Sequence, residues 1–193
     1  MLAASELDML FREARSFNDW EDKAISAQTL RDLYDLAKWG ATSANCSPGR
    51  FLFVQSREAR ERLAEHVSSS NRPKVVNAPV CVIIASDADF ASRFDYLFPH
   101  NPGAASWFAE PEVSRETAFR NSTLQGAYFM LAARALGLDC GPMSGFDPKG
   151  VDEEFFRNTS WRSNFLCSIG HGKKDSVFPR LPRLPFDEAC AIE

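Results

Sequence analysis

Residues 118–147 read AFRNSTLQGAYFMLAARALGLDCGPMSGFD. The first part of this stretch places apolar side chains at helical spacing, which predicts a helix from about residue 114 to residue 136, with Gly137 as its stop signal. The apolar face of this helix comprises Leu124, Ala127, Tyr128, Leu131 and Ala135. The second part, residues 138–146, is bounded by glycines and predicts a strand. A long helix that leads directly into a strand indicates a domain in which helices pack on a sheet.

The rest of the chain continues this alternation of helices and short apolar strands. Apolar spacing predicts further helices over residues 5–14, 26–40, 56–67 and 147–156. Apolar runs predict further strands over residues 51–54, 80–85 and 165–169. We therefore predict a single α+β or three-layer α/β domain over residues 1–193. The proline-rich C-terminal extension, residues 175–193, cannot form a central strand, so we expect it to wrap over a surface of this chain or of a partner.

Composition narrows the class of protein. The chain has 193 residues, a net charge of −4 and 45% hydrophobic residues, which is typical of a folded globular domain and excludes general disorder. No run of 18 apolar residues occurs, and the N-terminal segment is acidic, so we expect neither a membrane span nor a secretory signal. The negative charge argues against nucleic-acid binding. Five scattered cysteines without a CxxC pair predict a reduced, cytoplasmic protein without a disulfide framework or a metal site.

Three polar loops are the candidate binding segments. They are RSFN at residues 15–18, TSANCSP at residues 42–48 and NRPK at residues 71–74. Each loop alone is also typical of an ordinary turn or helix end. The sequence has no GxGxxG, no nucleotide-phosphate loop, no GxSxG and no HExxH motif. Cys46 and His171 could form a nucleophile and its base, although nothing near either residue in the sequence supports that pairing.

Residues 87–112 concentrate aromatic side chains among prolines and glycines. Two interpretations of this aromatic segment are open: a surface flap that shields the core, or a lid that excludes water from a substrate pocket. As a lid, it would bring Phe98 and Trp107 to the substrate. Arg93 and Arg120 are candidates for binding a substrate carboxylate, although each is also typical of a structural charge.

Five segments, taken in order, resemble the flavin-dependent nitroreductase family. They are KWGATSANCSPGRFLFV (38–54), NRPKVVNAPVCVIIASD (71–87), the stretch at 118–147, FLCSIGHG (165–172) and a late RLP. Each segment is weak by itself, but their order over nearly the whole chain is specific. The segments WGATSANCSP, ETAFRNS and GPMSGFD resemble the sequences of one subfamily, the malonic semialdehyde reductases of pyrimidine breakdown and their nitroreductase relatives.

The resemblance implies a nitroreductase-like fold, in which helices flank a mixed, mainly antiparallel sheet. It also implies a homodimer with exchanged C-terminal tails, FMN at the subunit interface, and NADH or NADPH as hydride donor. The positions that match the FMN-binding positions of the family are Arg15, Ser16, Asn18, Ser43, Asn45, Ser47, Asn71, Lys74, Pro142, Met143, Ser144, Gly145, Gly170, Arg180 and Arg183.

By this resemblance, the two ends of the chain would bind the FMN phosphate. Arg15 and Arg183 match the phosphate positions, and arginine suits them because it forms charge-assisted, often bidentate hydrogen bonds. Ser16 would add a hydroxyl donor. Ser43 and Asn45 would reach the ribityl chain and the flavin edge from the neighbouring subunit.

The flavin ring would lie between the third loop and the strand near residue 143. Asn71 and Lys74 match the residues at the pyrimidine edge, and residues 142–145 match the strand whose backbone approaches flavin N5. Lys74, Ser144 and Gly145 would support the chemistry of the cofactor. The chain departs from the common family pattern at Asn18, Ser47, Gly49, Ser144 and Leu181. The last change leaves Arg180 as an alternative phosphate ligand.

The function implied by the resemblance is FMN-dependent reduction by ping-pong hydride transfer. The acceptor would be malonic semialdehyde, which gives 3-hydroxypropionate, or a nitro- or quinone-type compound. Because the cofactor carries this chemistry, no acid–base side chain is required of the protein. Two other interpretations stay open at this point: a flavin-binding protein without turnover, for storage or regulation, and a hydrolase or transferase that uses Cys46.

Overall fold

The computed structural model describes residues 1–193. The strands are β1 (Gly49–Val54), β2 (Val80–Asp87), β3 (Asp139–Met143) and β4 (Trp161–Gly170). The α-helices are α1 (Ala4–Leu7), α2 (Ala27–Ala37), α3 (Arg57–Ala64), α4 (Arg72–Val76), α5 (Phe94–Leu97), α6 (Pro111–Ala135), α7 (Pro148–Phe155) and α8 (Phe186–Ala189). Short 3₁₀ segments cover Ser43–Asn45, Phe90–Arg93, Pro102–Phe108 and Lys174–Ser176.

The four strands form one antiparallel sheet in the order β1-β2-β4-β3. Gly49 pairs with Ser86, Val80 pairs with Ile169, and Asp139 pairs with Gly170. The start of β1 therefore lies at the end of the sheet where β2 finishes, and the starts of β2 and β3 lie at the opposite end. The one parallel contact is an isolated bridge between Ser16 and Cys140.

Helices cover both faces of the sheet, because successive side chains of a strand point to opposite sides. Val80, Val82 and Ile84 of β2 pack with α2 and α6, and the alternating residues Cys81 and Ile83 pack with α3, α4 and α7. Every residue of β2 is buried. The result is a three-layer α+β domain, as the sequence predicts.

Helix α6 is the central helix, and its ends follow from local sequence. Pro111 occupies its first turn, where a missing N–H costs nothing. Gly137 adopts φ +76, and the Leu138 amide donates to the Ala133 carbonyl, which ends the helix with a left-handed glycine. The predicted bounds of 114–136 are therefore confirmed to within a few residues. No helix of the chain has the length and hydropathy needed to cross a membrane.

Three local predictions differ from the structure. The first helix is only α1 followed by a π-helical turn at Asp8–Arg12, and neither piece buries a residue that would favour a regular helix. Residues 144–146 leave the sheet after Met143. The third polar loop forms the short helix α4, with Pro73 in its first turn.

Candidate functional site

The two ends of the chain meet in a pocket of about 650 Å³, here called the arginine pocket. Phe11 and residues 14–16 form one wall, and residues 178–181 with Arg183 form the other. The Arg15 guanidinium donates to the Phe178 carbonyl, and the Arg180 guanidinium donates to the Ala14 carbonyl at 3.0 Å. The backbone therefore brings Arg15, Arg180 and Arg183 together from positions that are far apart in the sequence.

A fourth cation, Arg134 at the end of α6, lines the same pocket. Its guanidinium donates to the Leu10 carbonyl at 3.0 Å. None of the four arginines forms an ion pair within the chain, and no acidic residue lines the pocket. Four uncompensated guanidinium groups around one cavity suit a multiply charged anion such as a phosphate monoester. The sequence analysis missed Arg134, because only the packing of α6 against the first segment brings it here.

A backbone contact joins this pocket to the edge of the sheet. The Phe17 amide donates to the Cys140 carbonyl at 3.0 Å, which places Ser16 beside β3. A Cβ atom at Gly141 would lie 2.5 Å from the Phe17 carbonyl oxygen, so only glycine permits this approach. Asn18 is tied to the C-terminal region, since its side chain donates to the Ser176 carbonyl at 3.0 Å.

The third polar loop lies against the residues that follow β3. The Asn71 side chain donates to the Gly145 carbonyl at 3.1 Å, and Ser168 of β4 donates to the Lys74 carbonyl at 2.9 Å. Lys74 is half-buried, and its ammonium group has no carboxylate partner. Asn71 thus lies beside Gly145, and the backbone of Lys74, an uncompensated cation on α4, is bound to β4.

The chain leaves the edge of the sheet with free backbone donors. Pro142 and Ser144 are exposed, Met143 packs into the core, and the amides of Ser144 and Gly145 donate no hydrogen bond within the chain. Free amides on an edge strand can bind a ligand through the backbone alone. Gly170 is different: it is buried, and a Cβ atom there would meet Pro79 and Trp20 within 2.9 Å, so packing against these side chains accounts for glycine at that position.

The second polar loop has an unusual backbone. Ala44, Asn45 and Ser47 adopt φ values of 48, 50 and 38, although none of them is glycine. The Ser47 amide donates to the Thr42 hydroxyl, and the Asn45 side chain donates to the Leu97 carbonyl at 2.8 Å. Non-glycine residues in the left-handed region cluster at functional sites, where the surrounding structure holds them in place.

The structure divides the predicted site residues into two groups. Residues 142 and 143 end edge strand β3 and residues 144–145 follow it, whereas residues 42–48 precede β1 at the opposite edge of the sheet. Three strand spacings of about 4.8 Å separate these edges by about 14 Å. Within one chain, Ser43, Asn45 and Ser47 therefore do not join Lys74, Gly145 and the arginine pocket.

The aromatic segment is folded and has a small core of its own. Phe90 and Phe94 are fully buried with Cys46, Ala104 and Ala118. Phe98 and Trp107 are partly exposed, and their rings lie edge to face with 6.3 Å between the ring centroids. Of the two candidate cations, Arg120 pairs with Glu116 on the surface of α6, whereas Arg93 is exposed without an acidic partner. The flap interpretation explains Phe90 and Phe94, and the lid interpretation stays a prediction for Phe98 and Trp107.

Comparison with known proteins decides the family. A family model described as "Nitroreductase family" matches residues 12–171. The chain belongs to the nitroreductase family. This confirms the resemblance that the ordered segments predict, whereas the malonic semialdehyde subfamily stays a prediction.

Two relatives of this nitroreductase cover nearly its whole length. A protein of Caulobacter sp. strain K31, provisionally named an NADH dehydrogenase/NAD(P)H nitroreductase, is 55% identical over 99% of this chain and 98% of its own. The protein HadB of Ralstonia pickettii carries the same provisional name and is 53% identical over 100% of both chains.

Solved structures share the nitroreductase fold at low sequence identity. The protein ydfN of Bacillus subtilis superposes with a TM-score of 0.89 at 22% identity and covers 99% of this chain and 100% of its own. A provisionally classed nitroreductase of Exiguobacterium sibiricum, solved in complex with FMN, has a TM-score of 0.88 at 19% identity and covers 100% of this chain and 99% of its own. These likenesses support the three-layer architecture described above.

The thiol of Cys46 does not suit nucleophilic catalysis in this nitroreductase. Cys46 is fully buried among aromatic and small apolar side chains, and this desolvation raises the pKa of its thiol to about 11. A nucleophilic cysteine requires a lowered pKa and access to its substrate. His171, its only suggested base, follows β4 at the other end of the sheet. The interpretation of the chain as a Cys46-dependent hydrolase or transferase is therefore not supported by the structure.

Proposed function

We propose that this protein is an NAD(P)H-dependent oxidoreductase that uses FMN and acts as a homodimer. The observation that carries the proposal is the arginine pocket, whose four guanidinium groups lack acidic partners and lie beside an edge strand with free amides. This donor set fits a flavin mononucleotide, which combines a phosphate dianion with a ring that accepts hydrogen bonds. The chemistry that FMN supplies when bound is acceptance of a hydride from NADH or NADPH and its delivery to an oxidised compound.

In this proposal, the arginine pocket binds the phosphate. Arg15, Arg180 and Arg183 provide charge-assisted hydrogen bonds, and the exposed Ser16 hydroxyl adds a neutral donor. Asn18 keeps the C-terminal region in position through its bond to Ser176. Both Arg180 and Arg183 line the pocket, so the structure supports a shared role rather than a choice between them.

The edge of the sheet and α4 bind the ring in this proposal. Lys74 places a positive charge where reduction adds negative charge to the flavin, which favours the reduced state. Asn71 holds the Gly145 carbonyl, and the amides of Ser144 and Gly145 remain available as donors to the ring. These residues bind and orient the cofactor, and none of them has to gain or lose a proton.

A second copy of the chain is needed to complete the site. The loop at residues 42–48 lies across the sheet from the other site residues, so it can reach a bound flavin only in another subunit. The C-terminal tail supports the same conclusion, because Phe178, Leu181, Leu184 and Ile192 are each at least 68% exposed in the single chain. Exposed apolar groups of this size indicate a surface that another protein covers.

The acceptor in this proposal is malonic semialdehyde or a nitro- or quinone-type compound. The exposed edges of Phe98 and Trp107 suit a planar aromatic acceptor. Arg93, which is exposed and has no acidic partner, could bind the carboxylate of malonic semialdehyde. Substitution Arg93→Ala should raise the KM for the aldehyde acid and leave the KM for a nitroarene or a quinone unchanged.

One experiment tests the class of function directly. The purified protein should be yellow, should release FMN on denaturation, and should be bleached by NADH or NADPH in the absence of oxygen. Addition of malonic semialdehyde, a nitroarene or a quinone should then restore the oxidised spectrum. A colourless protein that binds no added FMN would refute the proposal, and bleaching without reoxidation by any acceptor would indicate a flavin-binding protein without turnover.

A further inference from the structure

The loop from Ser43 to Gly49 is held at both ends by one helix. The Ser43 amide donates to Oδ1 of Asn121 at 2.9 Å, and the Gly49 amide donates to Oε1 of Gln125 at 2.6 Å. Asn121 and Gln125 are four residues apart on α6, so their side chains project from the same helix face. Both are buried, with 1% and 5% of their surface exposed. One rigid face therefore fixes the distance between the two ends of the loop.

Between these two anchors, the backbone is in a conformation that its sequence disfavours. Ala44, Asn45 and Ser47 all lie in the left-handed region, where side chains other than glycine crowd the backbone. Such residues persist only when the surrounding structure over-determines them. The anchors on α6 supply that constraint, and the Arg50 guanidinium adds a bond to the Ser47 carbonyl at 2.9 Å.

Gly49 and Gln125 form a matched pair. A Cβ atom at position 49 would lie 2.7 Å from Oε1 of Gln125, which is closer than real Cβ contacts allow. This position follows the proline of the loop and departs from the aromatic residue common in the family pattern. The departure has a physical reason here, because a side chain at position 49 would displace the Gln125 carboxamide from the position in which it accepts the observed hydrogen bond.

We infer that Asn121 and Gln125 are positioning residues for the flavin site: they hold residues 43–47 in the conformation in which this loop contacts FMN bound by the second subunit. The inference rests on the proposed function above. The oxygen of each carboxamide accepts from the backbone of its own chain, so the two residues act on the flavin through the loop. If the two residues had a purely structural role, their substitution would lower thermal stability without changing flavin affinity.

Two substitutions remove the anchoring acceptors. Asn121→Leu and Gln125→Met keep side-chain size and remove the acceptor of one loop amide each, the Ser43 amide in the first variant and the buried Gly49 amide in the second. Each should raise the Kd for FMN, measured by quenching of flavin fluorescence, by about tenfold. The Kd for riboflavin should rise by the same factor, because the loop acts on the ribityl and ring side and not on the phosphate. Exchange of the Gly49 amide proton, measured by NMR without flavin, should become faster in Gln125→Met.

Conservative and matched variants separate positioning from general stability. Gln125→Glu keeps an acceptor oxygen at the same reach and should bind FMN within about threefold of the parent protein. Ser122→Ala is the control, because Ser122 is fully buried on the same helix and bonds to the Phe119 carbonyl and Asn164 rather than to the loop. It should leave both flavin affinities unchanged, whatever it does to the melting temperature.

The outcomes distinguish this inference from the proposed function. Parent-like affinity for both flavins in Gln125→Met, in a parent protein that binds FMN, overturns the inference and leaves the proposed function intact. Failure of the parent protein to bind FMN overturns the proposed function. If Asn121→Leu does not fold, the ratio of affinities between Gln125→Met and Gln125→Glu decides the question: a ratio near ten supports positioning, and a ratio of one contradicts it.

Discussion

The arginine pocket and the loop at residues 43–49 prepare for a ligand by different physical means. The pocket gathers four guanidinium groups, each held by a backbone carbonyl and none neutralised by an acid. The loop contains no charged residue and depends on three left-handed backbone positions between buried carboxamides. The pocket would therefore bind a ligand through unneutralised positive charge, and the loop through a fixed backbone conformation.

This difference decides how each region should respond to change. Binding by exposed charges is weakened by salt and depends on the charge of the ligand. Its affinity should fall stepwise with each arginine that is substituted. Binding through a preset backbone is insensitive to salt and fails when an anchor is removed, because the penalty comes from an unpaired buried amide. The predictions below test this contrast, starting with the variant in which we expect the largest effect.

Deletion of residues 178–193 should abolish both the dimer and FMN binding. The deletion removes Arg180 and Arg183 from the arginine pocket together with the exposed apolar tail that we expect to cover the partner. No residue of the deleted segment is buried, so the shortened chain should keep its circular dichroism spectrum. Light scattering and flavin absorbance measure the two losses. A truncated dimer that keeps tight FMN would contradict both the tail exchange and the phosphate site.

Lys74→Met should slow flavin reduction by NAD(P)H by roughly one to three orders of magnitude. The variant keeps the apolar stem and removes the uncompensated cation that we propose to lie beside the ring, so FMN should still bind while its reduction potential falls. Stopped-flow spectroscopy and a redox titration measure these effects. Substitution Lys149→Met, at an exposed position of α7, is the control and should change neither quantity. Unchanged rate and potential in Lys74→Met would remove this residue from the site.

Arg15→Ala or Arg183→Ala should weaken FMN binding by about one to two orders of magnitude, since hydrogen bonds to charged groups contribute about 1.5–3 kcal/mol each. Riboflavin, which lacks the phosphate, should be affected much less. The affinity of the parent protein for FMN should fall with added salt, and this salt dependence should be smaller in the variants. Titrations of both ligands at two salt concentrations measure this. Equal losses for FMN and riboflavin would show that the arginines act on the fold.

The sequence predicts the charged region well, because a charge is visible in the residue type. Arg15, Arg180, Arg183 and Lys74 are all identified before the structure, and the structure places the three arginines in one pocket. Arg134 is missed because its role depends on how the end of α6 packs against the first segment, and no local pattern encodes that contact.

The sequence predicts the conformational region only in outline. Ser43, Asn45 and Ser47 are identified by resemblance. The left-handed backbone at Ala44, Asn45 and Ser47 is not, because this conformation is usually predicted from a glycine and none of the three is glycine. Asn121 and Gln125 read as ordinary polar residues on a long helix. Their burial could have been inferred from Ala118, Ser122 and Gly126, whose small side chains already mark that helix face as one that packs closely.

The smallest effect is expected at Cys46, which is fully buried in the core of the aromatic segment. Cys46→Ala should leave turnover within about threefold of the parent, because the buried thiol does no chemistry and removal of one sulfur atom leaves the backbone anchors in place. In the parent protein, burial raises the pKa of this thiol to about 11.

This pKa has a consequence for reactivity and stability. The neutral thiol is favoured in the folded state, so the stability that its burial contributes should be present below pH 9 and lost as the pH rises from about 9 to about 11. Alkylation of Cys46 by iodoacetamide, followed by mass spectrometry of the peptide, should be negligible at pH 8 beside that of the exposed Cys190. Rapid alkylation of Cys46 at pH 8 with loss of turnover would mean that the loop opens and that the thiol, not only the backbone, belongs to the site.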